Sequence, residues 1–247
     1  MNPFKKNGKS LSLFITAGYP KKDSLGEQIR LLQKQDIDFL EIGIPFSDPM
    51  ADGPVIQETS SIALENGMNL DLLFEQLEAI KHQVQIPLVL MGYLNPILQF
   101  GLDSFLERCE SIGISGLIIP DLSFELVQHK YKNTFDSHRV PLIYLVTPST
   151  SNARITQVAQ ASKSSFIYLV GQNKITGSSY SLSVNAKRYL EIKSLCGEVP
   201  LFLGFGISSS VQKKEAFNYL DGVIVGSAYL LALSIGKEEE FIEKLVS

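Results

Sequence analysis

Eight short apolar, β-branched runs alternate with segments of helical period along the 247 residues. No other feature narrows the fold so far, because such alternation is the pattern of repeated strand–helix units and therefore of a parallel sheet. The runs lie at 11–16, 39–44, 87–91, 116–119, 142–146, 166–170, 201–204 and 222–225. Helices are expected from a cap at Asp23-Ser24 to about 35, then at 57–66, 70–82, 103–112, 124–135, 152–161, 182–195, 209–218 and 238–246, with a short one at 229–233. Two of them follow strand two. The reading is an α/β fold, one (β/α)8 TIM barrel with an extra helix after strand two, spanning 1–247 as a single domain. An open doubly wound sheet is the alternative, but the turn after its first strand would carry G-x-G-x-x-G, and Ile15-Thr16-Ala17-Gly18-Tyr19 does not.

Strand two carries an unusual demand. In an extended 39–44, Leu40, Ile42 and Ile44 share one face while Phe39, Glu41 and Gly43 share the other, so a carboxylate falls within a strand that otherwise reads as buried. A buried charge is costly unless it is paired or sits in a cleft, which points to function. A glutamate that merely reaches solvent at the strand end is the plain alternative. The run that follows, with Pro45, Asp48, Pro49, Asp52, Gly53 and Pro54, is a shaped strand-to-helix loop, and Asp52 brings a second carboxylate near the same strand end. Two carboxylates suit proton transfer combined with stabilisation of positive charge. Asp48 and Asp52 also fit as turn-makers.

Barrel chemistry gathers at the C-terminal ends of the strands. There stand Phe14 to Tyr19, Glu41, Met91 to Asn95, Pro120-Asp121, Thr147-Pro148, Tyr168, Gly204 to Gly206, and Gly226-Ser227. Gly206 with Ser208, and Gly226 with Ser227, suit a backbone cradle for a phosphate after strands seven and eight. The glycine- and serine-rich segment 171–181 after strand six has the length and composition of a lid, or of a plain exposed connection.

Composition excludes several other classes. A net charge of −4, from 22 basic and 26 acidic residues with no basic cluster, argues against nucleic acid or an anionic membrane as partner. No apolar run reaches the roughly 18–20 residues that span a bilayer, and the N-terminus lacks a cleavage-site pattern, so a cytoplasmic location is expected. Cys109 and Cys196 read as free thiols with no metal-ligand spacing, and His82, His129 and His138 gain no role.

From Leu40 to Gln57 the chain reads LEIGIPFSDPMADGPVIQ. This closely resembles the signature of the α subunits of tryptophan synthase, and the likeness continues from LFITAGYP near one end to VIVGSA near the other. The resemblance implies aldol-type cleavage of indole-3-glycerol phosphate, with Glu41 as acid–base residue and Asp52 as second catalytic carboxylate. It implies that Phe14, Tyr93 and Phe205 form the slot for the indole ring, that Tyr168 orients Glu41, and that Gly206, Gly226 and Ser227 hold phosphate. Thr176 and Gly177 would belong to a closing lid. No metal or organic cofactor is expected in this chain. The implied partner is a β subunit carrying pyridoxal phosphate, in an α2β2 assembly, touched through Asp48, Pro49 and Asn95. The chain departs from the family pattern at Gly171-Gln172, where serine and arginine are usual, at Lys174 in place of glycine, and at Ser123 after Pro120-Asp121-Leu122. Rival readings are another phosphate-binding barrel lyase, a Schiff-base aldolase, for which Lys174 lies in a loop rather than on a strand, and a subunit that only activates its partner.

Overall fold

The computed structural model describes residues 2–171, 182–204 and 206–247. Eight parallel strands form one sheet: β1 (Ser10–Thr16), β2 (Phe39–Gly43), β3 (Leu88–Met91), β4 (Gly116–Ile118), β5 (Tyr144–Val146), β6 (Ile167–Leu169), β7 (Leu201–Leu203) and β8 (Gly222–Val225). Hydrogen-bonded neighbours run β4-β3-β2-β1-β8-β7-β6-β5. The ring is closed between β4 and the approach to β5, where Leu117 bridges Leu142 and the Ile143 N–H donates to the Leu117 carbonyl at 2.9 Å. This is the barrel expected from the alternation. Its strands are buried on both faces, which explains their near-continuous apolar character.

Helices cover the outside in chain order: α1 (Leu25–Leu32), α2 (Pro54–Glu65), α3 (Leu70–Ile80), α4 (Leu94–Phe100), α5 (Leu102–Ile112), α6 (Phe124–Leu126), α7 (Lys132–Ser137), α8 (Asn152–Ala161), α9 (Ala186–Cys196), α10 (Ser210–Ala216), α11 (Ser227–Ser234) and α12 (Glu238–Val246). The doubled helix after β2 is present as α2 and α3. A second doubling, α4 after β3, was not expected from the sequence. Pro96 there reads as a breaker, yet it falls in the first turn, where its missing N–H would have had no helical partner in any case. The Asp121 carboxylate, reaching across from the end of β4, accepts the Leu94 N–H at 2.9 Å and anchors that turn. For the same reason α2 starts at Pro54 rather than at 57. The single helix expected over 124–135 is interrupted by a π turn, Val127–Tyr131, and the one over 182–195 opens as a 3-10 turn, Leu182–Asn185. Among the described residues no helix is long and apolar enough to cross a membrane.

Inside the barrel the strands stack side chains in levels. In the β1–β2 register Ser12 lies beside Phe39, and Phe14 beside Glu41. At the lower level Phe39, Phe166 and Phe202 pack with Phe4 from the N-terminal segment; ring centroids are 4.7 Å apart for Phe166–Phe202 and 5.4 Å for Phe39–Phe202. This aromatic plug closes the bottom, and one level up the interior opens.

Candidate active site

The opening is a cavity of about 340 Å³ at the C-terminal ends of the strands. Its wall includes Phe14, Glu41, Asp52, Tyr168, Gly226 and Ser227. Two glycines make the room. Gly204 lies against the Tyr168 ring so closely that a Cβ there would fall 1.9 Å from Cζ, and a Cβ on Gly43 would fall 2.3 Å from Cζ of Phe14. The two aromatic rings thus lean over bare backbone instead of filling the centre.

Glu41 is 0% exposed, and neither carboxyl oxygen has a hydrogen-bond partner among the described residues. Burial, and next the charge of Asp52, push its carboxyl up to about 8. Asp52 is half-buried, and burial raises its carboxyl too, but the hydroxyl of Tyr93 donates to Oδ2 at 3.0 Å and favours the charged form. The two carboxyls therefore ionise in order. Asp52 gives up its proton first, while Glu41 is still neutral and does not oppose it, and the resulting charge then holds the proton on Glu41.

Several expected ring and lid residues take other places or fall outside the described residues. Tyr93 does not line the cavity; its hydroxyl also accepts the Ala51 N–H at 2.9 Å, so it fastens the loop that carries Asp52. The Tyr168 hydroxyl donates to the Gly204 carbonyl at 2.8 Å rather than to Glu41, while its ring forms part of the wall. Gly206, Gly226 and Ser227 all line the cavity, with Gly226 immediately before α11; the Ser208 N–H is already taken by Gln212 Oε1 at 2.8 Å. Phe205, Thr176 and Gly177 lie outside the described residues, as do Gln172 and Lys174. Asp48 and Asn95 are exposed and Pro49 is half-buried, beside Met50, which is 82% exposed. Sequence reasoning missed Ile56, Ile207 and Leu231, which supply apolar wall. The only signal was their place in the segments that follow β2, β7 and β8.

A larger cavity, about 670 Å³, opens on the outer flank between α7 and α8. None of the buried, unpartnered polar atoms among the described residues lies there, whereas both oxygens of Glu41 lie in the barrel mouth. Among the described residues no group of three or more His, Cys, Asp or Glu side chains is arranged to hold a metal ion.

Residues 2–246 match the family model described as tryptophan synthase alpha chain. The chain belongs to this family. The tryptophan synthase alpha chain of Flavobacterium psychrophilum is 45% identical over 227 residues, covering 92% of this chain and 89% of that protein. Among solved structures, the tryptophan synthase alpha chain of Legionella pneumophila subsp. pneumophila superposes with a TM-score of 0.87 at 31% identity, over 99% of this chain and 95% of that one. An aminoacrylate-bound tryptophan synthase from M. tuberculosis gives 0.84 at 29% identity, over 97% and 92%. Membership of the tryptophan synthase alpha family identifies the chain as a lyase of tryptophan biosynthesis with a TIM-barrel fold.

Proposed function

We propose that the chain cleaves indole-3-glycerol phosphate to indole and glyceraldehyde 3-phosphate. The observation that carries the reading is the state of Glu41: buried, without a hydrogen-bond partner among the described residues, and with its carboxyl pushed up to about 8 beside a second carboxylate. A group poised in this way exchanges protons in both directions at working pH. Neutral Glu41 gives its proton to the indole ring carbon that bears the side chain. Positive charge develops toward the ring nitrogen, where the Asp52 carboxylate, fixed by Tyr93, stabilises it. Glu41 then takes the proton of the neighbouring side-chain hydroxyl. As the C–O bond becomes a carbonyl, the carbon–carbon bond breaks and its electron pair returns to the ring. The acid is regenerated, so no other proton source is needed.

Phe14 and Ile56 supply apolar wall for the ring, and the backbone at Gly206, Gly226 and Ser227 suits the phosphate. Family membership supports Phe205, Thr176 and Gly177 as further substrate contacts. It also supports a cytoplasmic place of work, no cofactor in this chain, and a pyridoxal-phosphate β subunit as partner, in an α2β2 assembly, meeting the exposed surface of Asp48, Pro49 and Asn95. The test is an assay of the purified chain with indole-3-glycerol phosphate, alone and with a β subunit. Indole release by the chain alone, raised by the β subunit, is the expected result. No indole in either case would overturn the reading.

A further inference from the structure

Asp52 sits two residues ahead of α2, so the placement of that helix sets where its backbone lies. Of the residues in α2 only three small ones, Thr59, Ser60 and Ala63, are fully buried, while Val55, Ile56 and Ile62 pack against the core with part of their surface exposed. Apolar burial scales with area and has no direction, so three small fully buried residues and three half-exposed aliphatic ones leave the exact placement of the helix loosely set. A directional contact sets it instead. Thr59 Oγ1 lies 3.0 Å from the Ile56 carbonyl, to which it donates, and 2.8 Å from Thr16 Oγ1. Since the Thr59 proton is committed to that carbonyl, the Thr16 hydroxyl is the donor between the two. Thr16 is 1% exposed and Thr59 3%. Thr16 ends β1 two residues beyond Phe14 and so, by strand alternation, on the same face. The bond therefore joins the strand that carries one cavity wall to the helix whose first turn, with Pro54 and Ile56, forms another.

We propose that Thr16 and Thr59 are positioning residues for Asp52, fixing from behind, through α2, the carboxylate that Tyr93 holds from in front. The inference rests on the reading of Asp52 given above. The two hydroxyls act as a unit: losing Thr59 leaves the Thr16 hydroxyl buried without its acceptor, losing Thr16 removes the tie to β1 while Thr59 stays bonded to Ile56, and replacing both by valine keeps the shape and strands neither hydroxyl. Stability and positioning can thus be separated.

The experiment compares Thr16→Val, Thr59→Val, the double variant and Thr59→Ser in steady-state indole release from indole-3-glycerol phosphate, with melting temperatures and pH profiles. Each valine variant should lose about 5–10-fold in kcat with KM changed by less than about twofold, because a displaced carboxylate is missed in the transition state. The double variant should lose no more than the worse single one, and should melt within about 2 °C of wild type. Thr59→Ser should recover most of kcat. The alkaline limb of the profile should move to lower pH in the valine variants, as the charge of Asp52 retreats from Glu41. Singles with wild-type kcat, losses that multiply in the double, or losses that simply follow melting temperature would each overturn the proposal. Asp52→Asn, assayed alongside, separates the levels. Full activity there overturns the reading of the site and this proposal with it, whereas an inactive Asp52→Asn beside fully active threonine variants overturns this proposal alone.

Discussion

The floor and the mouth of the barrel are built from the same strands and obey opposite rules. On β2, Phe39 belongs to the aromatic plug, and two residues on Glu41 stands in the cavity; Phe202 of β7 is plug, and Gly204, just past the end of that strand, is hollow. The floor fills its volume with four aromatic rings packed on one another. The mouth gives volume away at glycines and keeps out of water a carboxyl that has no partner among the described residues. Such a group opposes folding once it ionises, and the stability lost there is supplied by parts like the floor. Position along one strand thus separates a residue that holds the fold from one that does chemistry.

Glu41→Gln is the strongest way to break this contrast. Cleavage should fall by about 10³-fold, since an amide keeps the shape but transfers no proton. Stability should move the other way. The folded carboxyl is raised to about 8 from an ordinary 4.5, so the folded chain binds that proton more tightly than the unfolded one. Its contribution is fully present below pH 4.5 and is lost as pH rises through 8. Glutamine carries no such loss. The melting-temperature advantage of the variant should therefore be near zero at pH 4 and reach roughly 5–10 °C at pH 9. A gap that does not change with pH would contradict the burial argument. The wild-type rate should itself decline above pH 8, where Glu41 no longer holds the proton it must give.

Phe202→Ala tests the floor. Removing a fully buried ring that stacks on two others should cost about 3–5 kcal/mol, read by denaturant unfolding, while kcat at 20 °C stays within about threefold. A large kcat loss in the still-folded variant would mean that floor and mouth are not separable. Gly204→Ala should do the reverse. Its methyl displaces the Tyr168 ring into the cavity, raising KM for the phosphorylated substrate by about tenfold with a smaller change in stability. Tyr93→Phe is the mildest change. Without the donor to Oδ2, Asp52 ionises at higher pH, so the acidic limb of the rate profile should move up and kcat should fall about threefold.

Much of this was legible in the residues because it follows from short-range rules. Strand alternation set Glu41 with Phe39 and Gly43 on the face opposite Leu40, Ile42 and Ile44, and the eight apolar runs pointed to the barrel. The α4 helix was hidden because Pro96 means one thing inside a helix and another in its first turn, and the carboxylate that anchors that turn, Asp121, is 27 residues away. The work of Tyr93 and the hydrogen bond of Tyr168 were hidden for a related reason: each is made across strands or loops, between residues 41 and 36 positions apart. Periodicity tells which face a side chain takes, but not what waits for it there.

The fit of Tyr168 over Gly204 also constrains how such a barrel can change over generations. The two positions share one volume, so their sizes are not independently variable. A side chain at 204 is admissible only after residue 168 has become smaller, whereas the reduction at 168 can come first and persist. The path between two working sequences therefore has a preferred order, and two lineages that differ at both positions should tolerate the paired exchange while rejecting one of its halves.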